Sequence, residues 1–285
     1  MGKIIDGKAA ASAVRARVKS EVENIIAAGG RKPCLAVVIV GDDPASRIYV
    51  RNKVAAAREA GMESRLEDLP ASVSQDGLIS LVNGLNADPE VDGVLVQLPL
   101  PSHIDENIII DTIAPSKDVD GFHPLNVAAL QLGRECILPC TPAGIIHLLD
   151  REGVQIEGKR AVVIGRSNIV GKPVAKLLLD RHATVTLCHS RTRDLGSVTR
   201  EADILVTAVG HAGLISADMI KEGAVILDVG MNRSADGHLC GDVDFEGCID
   251  KASLITPVPG GVGPMTIAML LQNTLKCYKR HVEGA

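Results

Sequence analysis

Aromatic residues are nearly absent from this chain of 285 residues, which has no tryptophan, two tyrosines and two phenylalanines. Aliphatic side chains must therefore fill the core, and there is no stacking platform for single-stranded nucleic acid. Basic charge is not in excess either. A formal net charge of −5 argues against nucleic acid as the main partner. No apolar run reaches the ~18 residues of a membrane span, and the segment Met1–Asp6 has no signal-peptide core. The expectation is a cytoplasmic protein with no membrane partner. The seven cysteines include no C-x-x-C pair, so free thiols in a reducing compartment are expected. Cys136 and Cys140 are the closest two, but they lack histidine or cysteine partners at ligand spacing, and no metal site is expected. Repeats and low-complexity linkers are missing too, so any domains must be joined by helices.

What is present is ordinary for a globular protein: 46% hydrophobic and 23% charged residues. The length predicts about two domains. Asp6 can cap a helix over 7–28 that ends at Gly29-Gly30, with Val14, Val18, Val22 and Ile25 on one face. Strands are predicted at 34–40, 64–69 and 93–98, and helices at 45–60, 75–85, 105–114, 126–132 and 141–152. Tyr49 and Lys53 are four residues apart, so they share a helix face. Gln97 puts a polar side chain at the carboxyl end of an apolar strand, where ligands of parallel sheets sit. The turn Lys117–Gly121 carries two carboxylates, Asp118 and Asp120, that suit either a divalent ion or plain solvation.

The second half alternates strands at 161–164, 183–188, 203–207, 224–228 and 253–256 with helical patterns, the outline of a nucleotide-binding α/β domain. Its glycine turn, Gly165 to Gly171, joins the first of these strands to a helix that opens with Lys172-Pro173. Free N–H groups at such a helix start suit a pyrophosphate, although the spacing is not the usual G-x-G-x-x-G and a ligandless turn fits it as well. An NAD-binding domain carries an acidic residue about 20 residues past this turn. Here the second strand runs into His189-Ser190-Arg191-Thr192-Arg193, with no carboxylate before Asp194. A hydroxyl beside two arginines suits a 2′-phosphate, which favours NADP; a solvated loop is the alternative. Arg166 in the turn is a third cation, and glycines recur at the ends of the later strands. The final helix is expected over 265–281.

Five separated motifs, taken together, carry a resemblance. They are Pro44-Ala45-Ser46 with Tyr49 and Lys53; Val96-Gln97-Leu98-Pro99-Leu100-Pro101; Lys117-Asp118-Val119-Asp120-Gly121; Gly165-Arg166-Ser167 with Val170-Gly171; and Thr256 to Thr266, which contains Pro259-Gly260-Gly261-Val262-Gly263. In this order they resemble the bifunctional methylenetetrahydrofolate dehydrogenase/methenyltetrahydrofolate cyclohydrolase family, from about Ile5 to the last helix. The length leaves no room for the formate ligase domain of longer relatives.

The resemblance implies two α/β domains flanking a cleft: a folate-binding catalytic domain at 1–139, on which helix 265–281 packs, and a Rossmann-like NADP-binding domain with a parallel sheet at 140–285. It implies a homodimer and a role in one-carbon metabolism and purine biosynthesis. NADP+ would oxidise 5,10-methylenetetrahydrofolate to the 5,10-methenyl cation, and water would open that cation to 10-formyltetrahydrofolate. Hydride transfer asks mainly for positioning. Hydrolysis needs a group that moves protons, and a lysine does so only where burial or the cationic substrate favours its neutral form.

By the same resemblance, Lys53 is that group, Tyr49 orients it and packs on the folate, and Gln97 bonds it without adding negative charge. Asp120 anchors the pterin, which displaces the metal reading and leaves Asp118 without a ligand role. Val96, Leu98 and Pro259–Gly263 complete the folate contacts. Gly165, Arg166, Ser167, Ser190, Arg191 and Met231 match the cofactor contacts, with Met231 standing where relatives often have isoleucine. Two other readings remain at this point: a dehydrogenase without cyclohydrolase activity, which the presence of Lys53 argues against, and a non-catalytic nucleotide-binding module.

Overall fold

The computed structural model describes residues 2–234 and 236–283; Met1, Ala235, Gly284 and Ala285 lie outside the described residues. The chain divides into two compact units, each discontinuous in sequence: Met1–Ser12 with Thr141–Thr266, and Ala13–Cys140 with Ile267–Ala285.

The second of these units is built on a three-stranded parallel sheet of β2 (Cys34–Val40), β3 (Glu63–Leu69) and β4 (Gly93–Val96), in the order β3-β2-β4. Strand β2 is central and reads Cys-Leu-Ala-Val-Val-Ile-Val, every residue buried. A strand covered on both faces has no need for alternation, which is why this run is continuously apolar. Strand β3 lies at an edge and mixes half-buried with exposed residues, none of them buried. The helices of this stretch are α1 (Gly7–Ala27), α2 (Pro44–Glu59), α3 (Gln75–Ala87), α4 (Glu106–Thr112) and α5 (Pro124–Gln131). Leu78, Val82 and Leu85 of α3 and Ile109 of α4 pack with Ala36, Val38, Val94 and Val96 into one core cluster.

The other unit carries a six-stranded parallel sheet in the order β1-β11-β8-β7-β5-β6. Its strands are β1 (Lys3–Ile4), β5 (Arg160–Ile164), β6 (Thr184–Cys188), β7 (Ile204–Thr207), β8 (Val225–Asp228) and β11 (Leu254–Ile255). With them run α6 (Cys140–Arg151), α7 (Gly171–Asp180), α8 (Leu195–Thr199) and α9 (Phe245–Cys248), and a two-stranded hairpin of β9 (Asn232–Arg233) and β10 (Leu239–Cys240). The last helix is α10 (Val262–Glu283).

Several element ends differ from the sequence reading by one to three residues, β4 for example stopping at Val96, and two differences have a clear cause. Strand β1 pairs Lys3 with Leu254 and Ile4 with Ile255, so the first residues belong with the large sheet, not with the expected 1–139 domain. Two exposed residues give no periodicity to read. Helix α10 begins at Val262 rather than 265, because Pro264 sits in its first turn, where a missing N–H costs nothing. Among the described residues, no helix is long and apolar enough to cross a membrane.

Candidate active site

The side chain of Asp43 accepts from Ser46 N–H at 2.8 Å and starts α2, with Pro44 at a first-turn position. These hydrogen bonds hold the Asp43 carboxyl below its usual range. Val50, Val54 and Ala57 bury one face of α2. Tyr49 and Lys53 leave an adjoining face, Tyr49 exposed and Lys53 half-buried; burial raises the Tyr49 phenol above its usual value. The Lys53 ammonium donates to Gln97 Oε1 at 2.9 Å, and Gln97 Nε2 donates to the carbonyl of Leu98 at 2.6 Å. That second bond fixes the amide the right way round, with its oxygen at the lysine. Gln97 N–H itself extends the ladder to Val38 O at 2.9 Å. Val96 is buried and Leu98 half-buried beside it.

The turn after Lys117 is held from within. Asp118 is buried, and its oxygens accept from Gly121 N–H at 3.0 Å, His123 N–H at 2.8 Å and Asn126 Nδ2 at 2.9 Å. Asn273 of α10 donates to Val119 O at 2.8 Å and Leu138 O at 2.9 Å. Gly121 has φ +73°, and a Cβ there would lie 2.7 Å from Pro139 N. The turn therefore presents Asp120 in one position. Burial pushes the Asp120 carboxyl from 3.8 up to about 6; the Lys53 ammonium restrains that rise and the Asp118 carboxylate adds to it. Lys53, Gln97 and Asp120 are thus brought together: a proton carrier, a neutral acceptor and a carboxylate. Asp118, which the sequence left without a role, is the internal brace of this turn. Its signal was its place three residues before a glycine, as in a side-chain-closed turn.

In the large-sheet unit, β5 and β6 end side by side, with Ile164 opposite Cys188 and Gly165 N–H donating to Cys188 O at 2.9 Å. Gly165 has φ +114°, and a Cβ there would come within 2.3 Å of Ala208 O. At Gly171 a Cβ would come within 2.0 Å of Gly165 O. Both glycines let the backbone close on itself. The N–H groups of Val170 and Gly171, expected to be free for an anion, both donate to Ser167 Oγ, at 3.1 and 3.2 Å. A hydroxyl that already accepts two hydrogen bonds keeps its proton for an outside acceptor. The start of α7 is therefore capped by Ser167 rather than left with bare helix N–H groups, and Arg166 and Ser167 are exposed.

Beyond β6, Thr192 N–H bonds His189 O at 2.8 Å, and Arg191 N–H bonds His189 Nδ1 at 3.1 Å. This tight turn leaves Ser190, Arg191 and Arg193 exposed. Asp194, the first carboxylate after the strand, caps α8 through Ser197 N–H at 3.2 Å and is occupied there. The residues present fit a dinucleotide with an extra phosphate: a turn too tight for side chains, a free hydroxyl proton, and exposed cations where a ribose-binding carboxylate is missing. Met231, 49% exposed, follows β8. Pro259–Gly263 also lies in this unit's stretch of sequence as it enters α10. Its Gly260 has φ +106°, and a Cβ on Gly7 would come within 1.7 Å of Gly261 O. No group of three or more metal-ligating side chains occurs among the described residues, and all seven cysteines are free.

Residues 5–120 match the family model for the tetrahydrofolate dehydrogenase/cyclohydrolase catalytic domain, and residues 139–282 match its NAD(P)-binding domain. A bifunctional protein FolD of Halothermothrix orenii is 59% identical over 283 residues, covering 99% of each chain. The crystal structure of the bifunctional dehydrogenase/cyclohydrolase FolD from Campylobacter jejuni superposes with a TM-score of 0.96 at 49% identity, covering 98% of this chain and 99% of that one. The Trypanosoma brucei enzyme, solved with NADP cofactor and an inhibitor, gives a TM-score of 0.94 at 42% identity, covering 99% of this chain and 98% of that one.

Proposed function

Because the chain belongs to the tetrahydrofolate dehydrogenase/cyclohydrolase family, we propose that Lys53, Gln97 and Asp120 perform its hydrolysis and that the turns after β5 and β6 hold its cofactor. The activity is the NADP-dependent oxidation of 5,10-methylenetetrahydrofolate followed by hydrolysis of the 5,10-methenyl product to 10-formyltetrahydrofolate. The observation that carries the assignment is the Lys53–Gln97 hydrogen bond of 2.9 Å beside the Asp120 carboxylate.

In the hydrolytic step, a water adds to the one-carbon bridge and the bond from that carbon to one ring nitrogen breaks. One of the water's protons ends on that nitrogen and the other leaves. Lys53 carries the proton between them, while Gln97 Oε1 holds its ammonium in place and adds no charge of its own. Asp120 accepts two hydrogen bonds from the aminopyrimidine edge of the pterin, and Tyr49 covers the ring. Val96 and Leu98, which flank Gln97, supply further folate contacts.

NADP+, when bound, accepts the hydride. Ser167 donates its free hydroxyl proton to the pyrophosphate with Arg166 alongside, Ser190 and Arg191 take the 2′-phosphate, and Met231 gives an apolar contact. A cytoplasmic homodimer is the proposed working form. The outer edge of β3 suits a second copy: Ile48 and Leu66 are exposed beside Glu63 and Glu67 on the strand and Arg51 and Arg58 on α2.

The assignment is tested by following NADPH formation from methylenetetrahydrofolate and, separately, loss of the methenyl absorbance above its spontaneous rate. NADP+ is expected to exceed NAD+ in kcat/KM by about tenfold or more, the cost of losing one phosphate–arginine contact. Equal efficiency would remove Ser190 and Arg191 from that role.

Asp120 also sets a pH dependence. Its carboxylate anchors folate only when ionised, so KM for the folate should rise about tenfold for each pH unit below about 6. Folding raises this group's affinity for its proton. The stability it contributes is present below about pH 4 and lost as pH rises through about 6. Asp120→Asn should therefore melt higher than wild type at pH 8, lose that advantage at pH 4, and bind folate without the pH dependence.

A further inference from the structure

Two carboxylates outside the roles assigned so far, Asp228 and Asp242, sit inside the large-sheet unit at 3% and 0% exposure. The donors that reach them, among the described residues, are backbone N–H groups, one hydroxyl and one side-chain amide. Asp242 Oδ2 accepts from Val209 N–H at 2.8 Å and Gly210 N–H at 3.3 Å. Its Oδ1 accepts from His211 N–H at 2.8 Å and Asn232 Nδ2 at 2.9 Å. Asp228 Oδ1 accepts from Thr207 Oγ1 at 3.1 Å, Gly230 N–H at 2.9 Å and Asp242 N–H at 3.0 Å, and its Oδ2 from Val243 N–H at 2.9 Å. Asp228 N–H in turn donates to Thr256 Oγ1 at 2.7 Å. One network therefore ties together the carboxyl ends of β7, β8 and β11.

The approach is close enough to dictate two glycines. A Cβ on Gly230 would lie 2.3 Å from Asp242 Oδ1, and one on Gly241 would lie 1.9 Å from Asp228 Oδ2. Three successive N–H groups converging on one point form an anion nest. Here the chain fills that nest with its own carboxylate, which leaves the pyrophosphate to the turn after β5. The sheet order β8-β7-β5-β6 then fixes the direction of the dinucleotide. With the 2′-phosphate at the end of β6 and the pyrophosphate at β5, its nicotinamide end lies over β7 and β8, on the segments that Asp242 holds.

We propose that Asp242 is a positioning residue of the cofactor site: by binding the segments after β7 and β8 to one carboxylate, it sets the surface of Val209, Gly210 and Met231 on which the nicotinamide end of NADP rests. This rests on the reading of the unit as an NADP site. Asp242→Asn keeps the shape but turns one acceptor into a donor that faces N–H groups, so the two segments lose their common anchor. Asn232→Ala cuts only the link to the segment after β8 and leaves the carboxylate with its three backbone donors.

The test is titration of wild type, Asp242→Asn and Asn232→Ala with NADPH, read by its own fluorescence, and with adenosine 2′,5′-bisphosphate, which reaches only the ends of β5 and β6. NADPH affinity should fall about tenfold or more in Asp242→Asn, the cost of leaving buried donors unpaired. It should fall about threefold in Asn232→Ala, the loss of one ordinary hydrogen bond. Affinity for the bisphosphate should stay at the wild-type value in both. Unchanged NADPH affinity in the variants, or an equal loss for both ligands, overturns the proposal. If Asp242→Asn does not fold, Asn232→Ala decides it by the same criteria. Wild type binding neither ligand overturns the NADP reading itself, and this inference with it.

Discussion

Lys53→Met is expected to bring methenyltetrahydrofolate hydrolysis down to the rate seen without enzyme. Methionine keeps the length of the side chain and its packing along α2 but can neither take nor give a proton. A positioned general acid–base contributes about 10²–10⁴-fold, and its neighbours are committed elsewhere in the proposed site: Asp120 and Tyr49 to the folate, while Gln97 does not titrate in the working range and aims its Oε1 at Lys53. Because the proposed NADP site draws on residues after β5, β6 and β8, NADPH affinity should not change. The measurement is the decay of methenyl absorbance with and without the variant, beside an NADPH titration of the same preparation. A hydrolysis rate near that of wild type sinks the assignment of Lys53, whatever the titration shows.

Gly171→Ala is expected to lose most of the cofactor affinity, by about 100-fold or more, and to lower the melting temperature. The added Cβ would sit 2.0 Å from Gly165 O, 2.5 Å from Gly165 C and 3.0 Å from Arg166 N, all of them backbone atoms. No rotamer change relieves such a contact, so the turn or the start of α7 must move, and overpacking of this kind costs about 1–3 kcal/mol or more. Gly165 cannot yield either, being closed against Ala208 O. Movement there breaks both hydrogen bonds to Ser167 Oγ and turns its proton away from the ligand. The control is the same substitution at Gly84, exposed in the interior of α3 with nothing within 4 Å of the added atom. That change should gain up to about 1 kcal/mol. Unaltered NADPH binding in Gly171→Ala would show that the turn does not hold the pyrophosphate.

The inner strands were readable because a parallel sheet covered on both faces asks for unbroken apolar runs, and Cys34–Val40 and Ala161–Ile164 are such runs. Lys53 and Gln97 were readable as members of motifs and are found in hydrogen bond. What could not be read are the roles that exist only through the backbone. Asp228 and Asp242 look in sequence like two solvated acids, yet each bonds N–H groups two to 33 residues away. Side-chain type gives no hint of that, since any exposed turn also uses aspartate. The same holds for Ser167, for which the resemblance implied a cofactor contact but not that it would intercept the helix N–H groups first.

The discontinuity of the two units has a consequence for synthesis of the chain. The edge strand β1 waits for Leu254–Ile255, about 250 residues later, before it has a partner. The turn that presents Asp120 waits for Asn273 on the last helix. Neither unit has its full set of contacts until these late segments are present. Folding here is governed by contacts of large sequence separation, which are slow to form, so the nascent chain emerges with its apolar β-runs made but their layers incomplete.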